Sequence, residues 1–119
     1  MIAHVVLFAP KPDLPDADRQ AVLDGLTAAA TDIPSIRRFR VGKRIRHGLP
    51  GYEQAMRVDF EYVVMVEFED EAGLKAYLQH PSHAAIGRHF TTSSLAALAY
   101  DYEIVEAADA KRLVENRRA

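Results

Sequence analysis

The run Ile2-Ala3-His4-Val5-Val6-Leu7-Phe8 is apolar on both parities of an extended chain, interrupted only by His4 and closed by Pro10 and Pro12. A strand with one solvated face alternates apolar and polar residues, so a run without alternation predicts a central strand covered on both sides. A later segment shares this property. Phe60, Tyr62, Val64, Val66 and Phe68 form one apolar face, and Glu61, Val63, Met65 and Glu67 form a mixed second face. Any fold for this chain must therefore hold two inner strands and find cover for both faces of their sheet.

The remaining elements fall into place around those strands. Val22, Leu26, Ala29 and Ile33 repeat on a single helical stripe, with Asp16 as the N-cap candidate and Pro34 ending the helix after about Thr31. Ile36 to Val41 alternates apolar residues with arginine and reads as an exposed edge strand. From Gly42 to about Arg57 runs a long connection carrying Gly48, Pro50 and Gly51, a candidate lid or subunit contact. Asp70 caps a second helix, and Leu98 to Val105 forms the last strand. Leu98, Tyr100, Tyr102 and Ile104 lie on one side of it, and Ala99, Asp101, Glu103 and Val105 on the other. One domain over 1–105 is expected, followed by a polar, frayed or partner-draped tail over 106–119 that ends in Arg117-Arg118.

The order strand, helix, strand, strand, helix pair, strand is the split βαβ pattern of an α+β ferredoxin-like sandwich. Right-handed crossovers place the first and third strands in the middle of a four-stranded antiparallel sheet, with helices on one face. The other face would expose more apolar surface than a monomer normally carries. A second copy is expected to cover it, giving a homodimer in which two sheets close a dimeric α/β barrel.

Composition narrows the function classes. The chain has 119 residues and no cysteine, which excludes disulfides and thiolate chemistry and fits a reducing compartment, with the cytoplasm as the default. The apolar run after Met1 lacks a basic leader region and is too short for a signal sequence or a membrane span, so no membrane role is expected. Fifteen basic and seventeen acidic residues give a net charge of −2, which argues against a phosphate-driven nucleic-acid binder. The local cluster of Arg37, Arg38, Arg40, Lys43, Arg44, Arg46 and Arg57 reads as a solvated edge, or else as the entry for an anionic substrate beneath the loop.

Chemistry concentrates in Tyr77-Leu78-Gln79-His80-Pro81-Ser82-His83. Proline has no N–H and restricts the residue before it, so a helix arriving through Leu74, Tyr77 and Leu78 should stop near His80, and another should start at Pro81. His83 then lies in the first turn, where aligned amide dipoles favour the neutral imidazole. Ile86 and Phe90 continue its face. His4 shares the parity of Ile2, Val6 and Phe8, and if that side faces the helices it approaches Tyr77 and His83. A neutral histidine can remove a proton next to a carbonyl, and a tyrosine hydroxyl or second histidine can bond the enolate oxygen. His4, Tyr77 and His83 are therefore the catalytic candidates. His80, Phe90 and Tyr62 are the candidates for lining a substrate pocket. A metal held by His80 and His83 with His89 or His4 lacks a third ligand at a familiar spacing, and a haem axial role for His83 or His89 rests on analogy alone, so no metal or cofactor is expected. The competing reading makes His4 and His83 structural residues.

Taken together, the first strand with His4, the segment Val66-Glu67-Phe68-Glu69-Asp70, the HPxH-type motif after Ala76-Tyr77 and the terminal Tyr100-Asp101-Tyr102-Glu103 resemble the stress-responsive α/β-barrel (Dabb) domain family of the dimeric α/β-barrel superfamily. The resemblance spans residues 1–105 and implies a ferredoxin-like homodimer without a bound cofactor. Most such proteins are stress proteins without a known reaction, whereas a plant branch holds polyketide cyclases that run a metal-free aldol condensation. The chain is similar to those cyclases at His4, Tyr77 and His83, and departs from them in its longer 42–57 loop and basic tail. Two function classes follow: a cofactor-free enzyme acting on a small carbonyl compound by cyclisation, aldol or isomerisation chemistry, and a non-catalytic stress or small-ligand-binding dimer.

Overall fold

The computed structural model describes residues 1–115, and every side chain among them but that of Phe90. The chain runs β1 (Ile2–Pro10), α1 (Asp16–Asp32), β2 (Arg38–Lys43), β3 (Tyr62–Phe68), α2 (Glu71–Gln79), α3 (Pro81–Ser93), β4 (Ser94–Glu103) and a short α4 (Lys111–Glu115), with single 3₁₀ turns at Glu53–Ala55 and Ala107–Asp109. The four strands form one antiparallel sheet in the order β2-β3-β1-β4. The two segments without alternation are its inner strands, as a ferredoxin-like sandwich requires. Arg117-Arg118 lie outside the described residues.

Register decides which side chains meet the helices. His4 is opposite Val66 of β3 and Asp101 of β4, and Phe8 is opposite Tyr62 and Ala97. Directly opposed residues share a face. Phe8, Val64, Val66 and Phe68 therefore point together into the core, where they meet Val22, Leu26, Ala29 and Ile33 of α1, Leu74 and Tyr77 of α2, and Ile86 of α3. The helical stripe expected on α1 is the one the structure buries. Fully burying one such aliphatic or aromatic side chain is worth about 1.5–3 kcal/mol, so this layer is the main force holding helices to sheet. The opposite face is open. Leu98, Tyr100 and Tyr102 stand on it at 41–55 % exposure, beside Val5, Leu7, Val63 and Met65.

Several boundaries differ from the sequence reading. Pro15, with φ −60° and ψ 150°, precedes the first helix and leaves Asp16 as its first helical residue rather than its cap. The edge strand begins two residues later than expected, at Arg38, because Ile33 to Ile36 form a turn closed by the Ile36 N–H to the Ile33 carbonyl at 3.4 Å. β3 starts at Tyr62, so the long connection covers 44–61. β4 starts at Ser94, directly from α3, because its pairing with β1 extends to Pro10 opposite Ser94. The described part of the tail folds into short helical turns. Among the described residues no helix is long and apolar enough to cross a membrane.

The arginine-rich segment is largely paired. Arg37 donates to Glu69 at 2.5 Å, Arg40 to Glu67 at 3.2 Å and Arg44 to Asp59 at 2.7 Å, and Arg46 also donates to Asp59. Exposed pairs of this kind contribute about 0–1 kcal/mol each and leave less free positive charge on the edge than the sequence alone implies.

Candidate active site

The proline junction builds one wall of the site. Asp70 accepts from the Gly73 N–H at 2.9 Å and starts α2, which ends at His80 in the extended conformation (φ −73°, ψ 140°) that a residue before proline favours. Pro81 occupies the first position of α3, and the His83 N–H donates to the His80 carbonyl at 3.0 Å. His80 turns its ring back on this junction, its Nδ1 accepting from the Ser82 N–H at 3.1 Å. The side chain expected to line a substrate pocket thus has one nitrogen committed to capping α3.

The sheet supplies the other wall. His4 lies on the helix-facing side of β1, 5 % exposed, with its ring centroid 5.5 Å from that of Tyr77 and 6.2 Å from that of His83. Tyr77 and His83 lie 4.7 Å apart. Three residues drawn from a strand, the end of one helix and the start of another therefore form one cluster. Tyr62 is elsewhere. It stacks on Phe8 at 5.3 Å, four residues along β1 from His4, and lines a separate apolar cavity with Leu14, Arg19, Val22 and Ser93. The side chain of Phe90 lies outside the described set.

A fourth member was not expected in this role. Asp101 Oδ1 is 2.6 Å from His4 Nδ1, a short charge-assisted contact between residues far apart in sequence. A carboxylate only accepts, so His4 Nδ1 must carry the proton. The sequence alone places Asp101 only on the second side of the last strand, with Ala99, Glu103 and Val105. Its signal was an acid placed on the side of β4 opposite Tyr100 and Tyr102, but only the β1–β4 register turns that side toward His4.

Electrostatics divide the roles. Burial, with repulsion from His4, holds the His83 imidazole below its ordinary pKa, although the Leu78 backbone carbonyl opposes the shift. His83 is therefore a neutral base near pH 7. Burial, reinforced by the Asp101 charge, pushes the Tyr77 hydroxyl up to about 12, so it remains a hydrogen-bond donor. Among the described residues neither the Tyr77 hydroxyl nor the second nitrogen of His4 has a hydrogen-bond partner. No group of three or more His, Cys, Asp or Glu is placed to hold a metal ion among the described residues.

A sheet ordered β2-β3-β1-β4 with helices on one face makes this a ferredoxin-like α+β domain. Its family is narrower than that class: the model for the stress responsive A/B barrel domain, Dabb, matches residues 2–104, and the chain belongs to that family. Solved structures show the same fold. A Dabb family protein from Mesorhizobium loti is 22% identical, with 88% of this chain and 97% of that one covered and a TM-score of 0.69. A dimeric ferredoxin-like protein of unknown function from Thermobifida fusca is 19% identical, with 87% and 90% covered and a TM-score of 0.68. The hydroxynitrile lyase of Passiflora edulis is 13% identical, with 89% and 94% covered and a TM-score of 0.76. No curated protein matches the sequence.

Proposed function

We propose that this protein is a cytoplasmic homodimer, paired through its open sheet face, that catalyses cofactor-free acid–base chemistry on a small carbonyl compound. The observation that carries the reading is the His4 to Asp101 contact at 2.6 Å beside the Tyr77 and His83 rings. In this reading neutral His83 takes a proton from the carbon next to the substrate carbonyl. The electron pair of that C–H bond moves onto the carbonyl oxygen, and the Tyr77 hydroxyl donates to the enolate that forms. In a cyclisation or aldol step the enolate carbon bonds to a second carbonyl carbon, and the new alkoxide recovers the proton from His83. In an isomerisation the proton returns to a different carbon. Asp101 fixes the orientation of His4, whose second nitrogen is left to the substrate. The dimeric architecture named for the Thermobifida fusca protein and the catalytic one from Passiflora edulis are compatible with both halves of the proposal.

A second reading has its own support. His4 and Tyr77 are 5 % and 2 % exposed and pack ring against ring, as a buried polar cluster that specifies the fold would. The protein would then be a non-catalytic stress or small-ligand-binding dimer. Deuterium incorporation next to the carbonyl, followed by NMR across a panel of enolisable ketones and polyketide-like compounds, separates the two. Catalysed exchange that disappears in His83→Ala supports the enzyme. Exchange no faster than buffer for every compound, with His83→Ala folded like wild type, leaves the binding dimer.

A further inference from the structure

The connection between β2 and β3 does not behave like a solvated loop. Ile45, Leu49, Tyr52, Met56 and Val58 stand on it at 42–80 % exposure. Five apolar side chains in one segment of a thin molecule, 21 Å along its shortest axis, are more than scattered surface hydrophobics account for. The segment is also braced from within. Arg44 and Arg46 both donate to Asp59 across its base, Glu53 accepts from the Gly48 N–H at 2.5 Å, and Gln54 donates to the Gly48 carbonyl at 3.2 Å. Gly48 and Gly51 hold φ of 80° and 88°, conformations that favour glycine, and the His47 and Tyr52 rings meet edge to face at 5.1 Å. A loop shaped by its own bonds, with its apolar side chains held outward, is organised for contact with something else.

Continuity says what that is. At the base of the loop, Met56, Val58 and Phe60 line a cleft together with Leu7 and Val63, which belong to the open face of the sheet. Met56 and Val58 of the loop thus share a cleft with the surface proposed above to pair two copies, and Lys43, Arg44 and Arg57 line the same cleft. We infer that residues 44–61 form an arm that packs onto a second copy of this chain and extends the interface beyond the sheet. This inference rests on the proposed homodimer, and the surface it adds is separate from it.

Sedimentation over a dilution series tests both. Three proteins are compared: wild type, the arm variant Ile45→Ser/Met56→Ser, and Leu98→Arg on the open sheet face. Wild-type dimers whose arm variant dissociates at least about a hundredfold more readily, the low end of what burying two apolar side chains is worth, support the arm. An arm variant that dimerises like wild type while Leu98→Arg is monomeric overturns the arm and leaves the sheet interface standing. An arm variant that weakens while Leu98→Arg does not overturns the sheet interface instead. A wild type that stays monomeric overturns both. Should the arm variant misfold, hydrogen exchange on wild type decides: amides of 44–61 more protected at high than at low protein concentration support the arm, and equal protection overturns it.

Discussion

Replacing Asp101 with alanine removes the acceptor from a buried imidazole. The His4 side chain is 6 % exposed and that of Asp101 41 %, so the donor is left in a dry environment while the lost charge was half-solvated. A hydrogen bond to a charged group is worth about 1.5–3 kcal/mol, and the exposure of the carboxylate places this one at the low end, about 1.5 kcal/mol. For a chain of 119 residues that corresponds to a fall in Tm of roughly 6 °C. Chemical and thermal unfolding at one fixed protein concentration measure it. Asp101→Asn retains a carbonyl acceptor without the charge and should recover about half of the loss. A second readout does not depend on stability. Nitrogen-15 NMR of neutral His4 should show the proton on Nδ1 in wild type and a shift toward Nε2–H in Asp101→Ala. An alanine variant within about 0.5 kcal/mol of wild type, the scatter of ordinary surface substitutions, refutes the role assigned to Asp101, as does an unchanged tautomer.

Three further outcomes are expected. His83 should titrate by NMR below its ordinary value of 6.5. Because its folded pKa is depressed, the unfolded chain binds the extra proton first, so stability is whole above pH 6.5 and declines as pH falls through the folded value; His83→Gln should flatten that decline. Tyr77 should ionise near pH 12 in a near-ultraviolet titration, and since its pKa is raised, the stability it contributes is present below 10.0 and lost as pH rises toward 12. Tyr77→Phe should remove that late phase and any ketone exchange activity while leaving the fold intact. Asp70→Ala should cost about 1 kcal/mol in urea unfolding through loss of the α2 cap, without changing the His83 titration midpoint.

Local chemistry made much of this protein legible in its sequence. Pro81 and the restricted residue before it set the break between α2 and α3, which carries His83 into the first turn of the second helix. Strands without alternation identified β1 and β3 as central, and the stripe from Val22 to Ile33 identified the core face of α1. Boundaries at β2, β3 and β4 were less legible, because pairing with neighbouring strands rather than local propensity decides where an edge begins and ends.

The site divides along the same line. Tyr77 and His83 are separated by one helix junction, so their proximity follows from backbone restrictions that act over a few residues. The face of His4 and the identity of its partner do not. They depend on the register of β1 against β4, and strands have a side-chain period of two, so a shift of one residue would turn His4 away from the helices and Asp101 away from His4. Long-range packing selects that register by burying Phe8, Val64, Val66 and Phe68 together against the helices. Sequence alone determined which residues could do acid–base chemistry, and the tertiary structure decided which of them stand together.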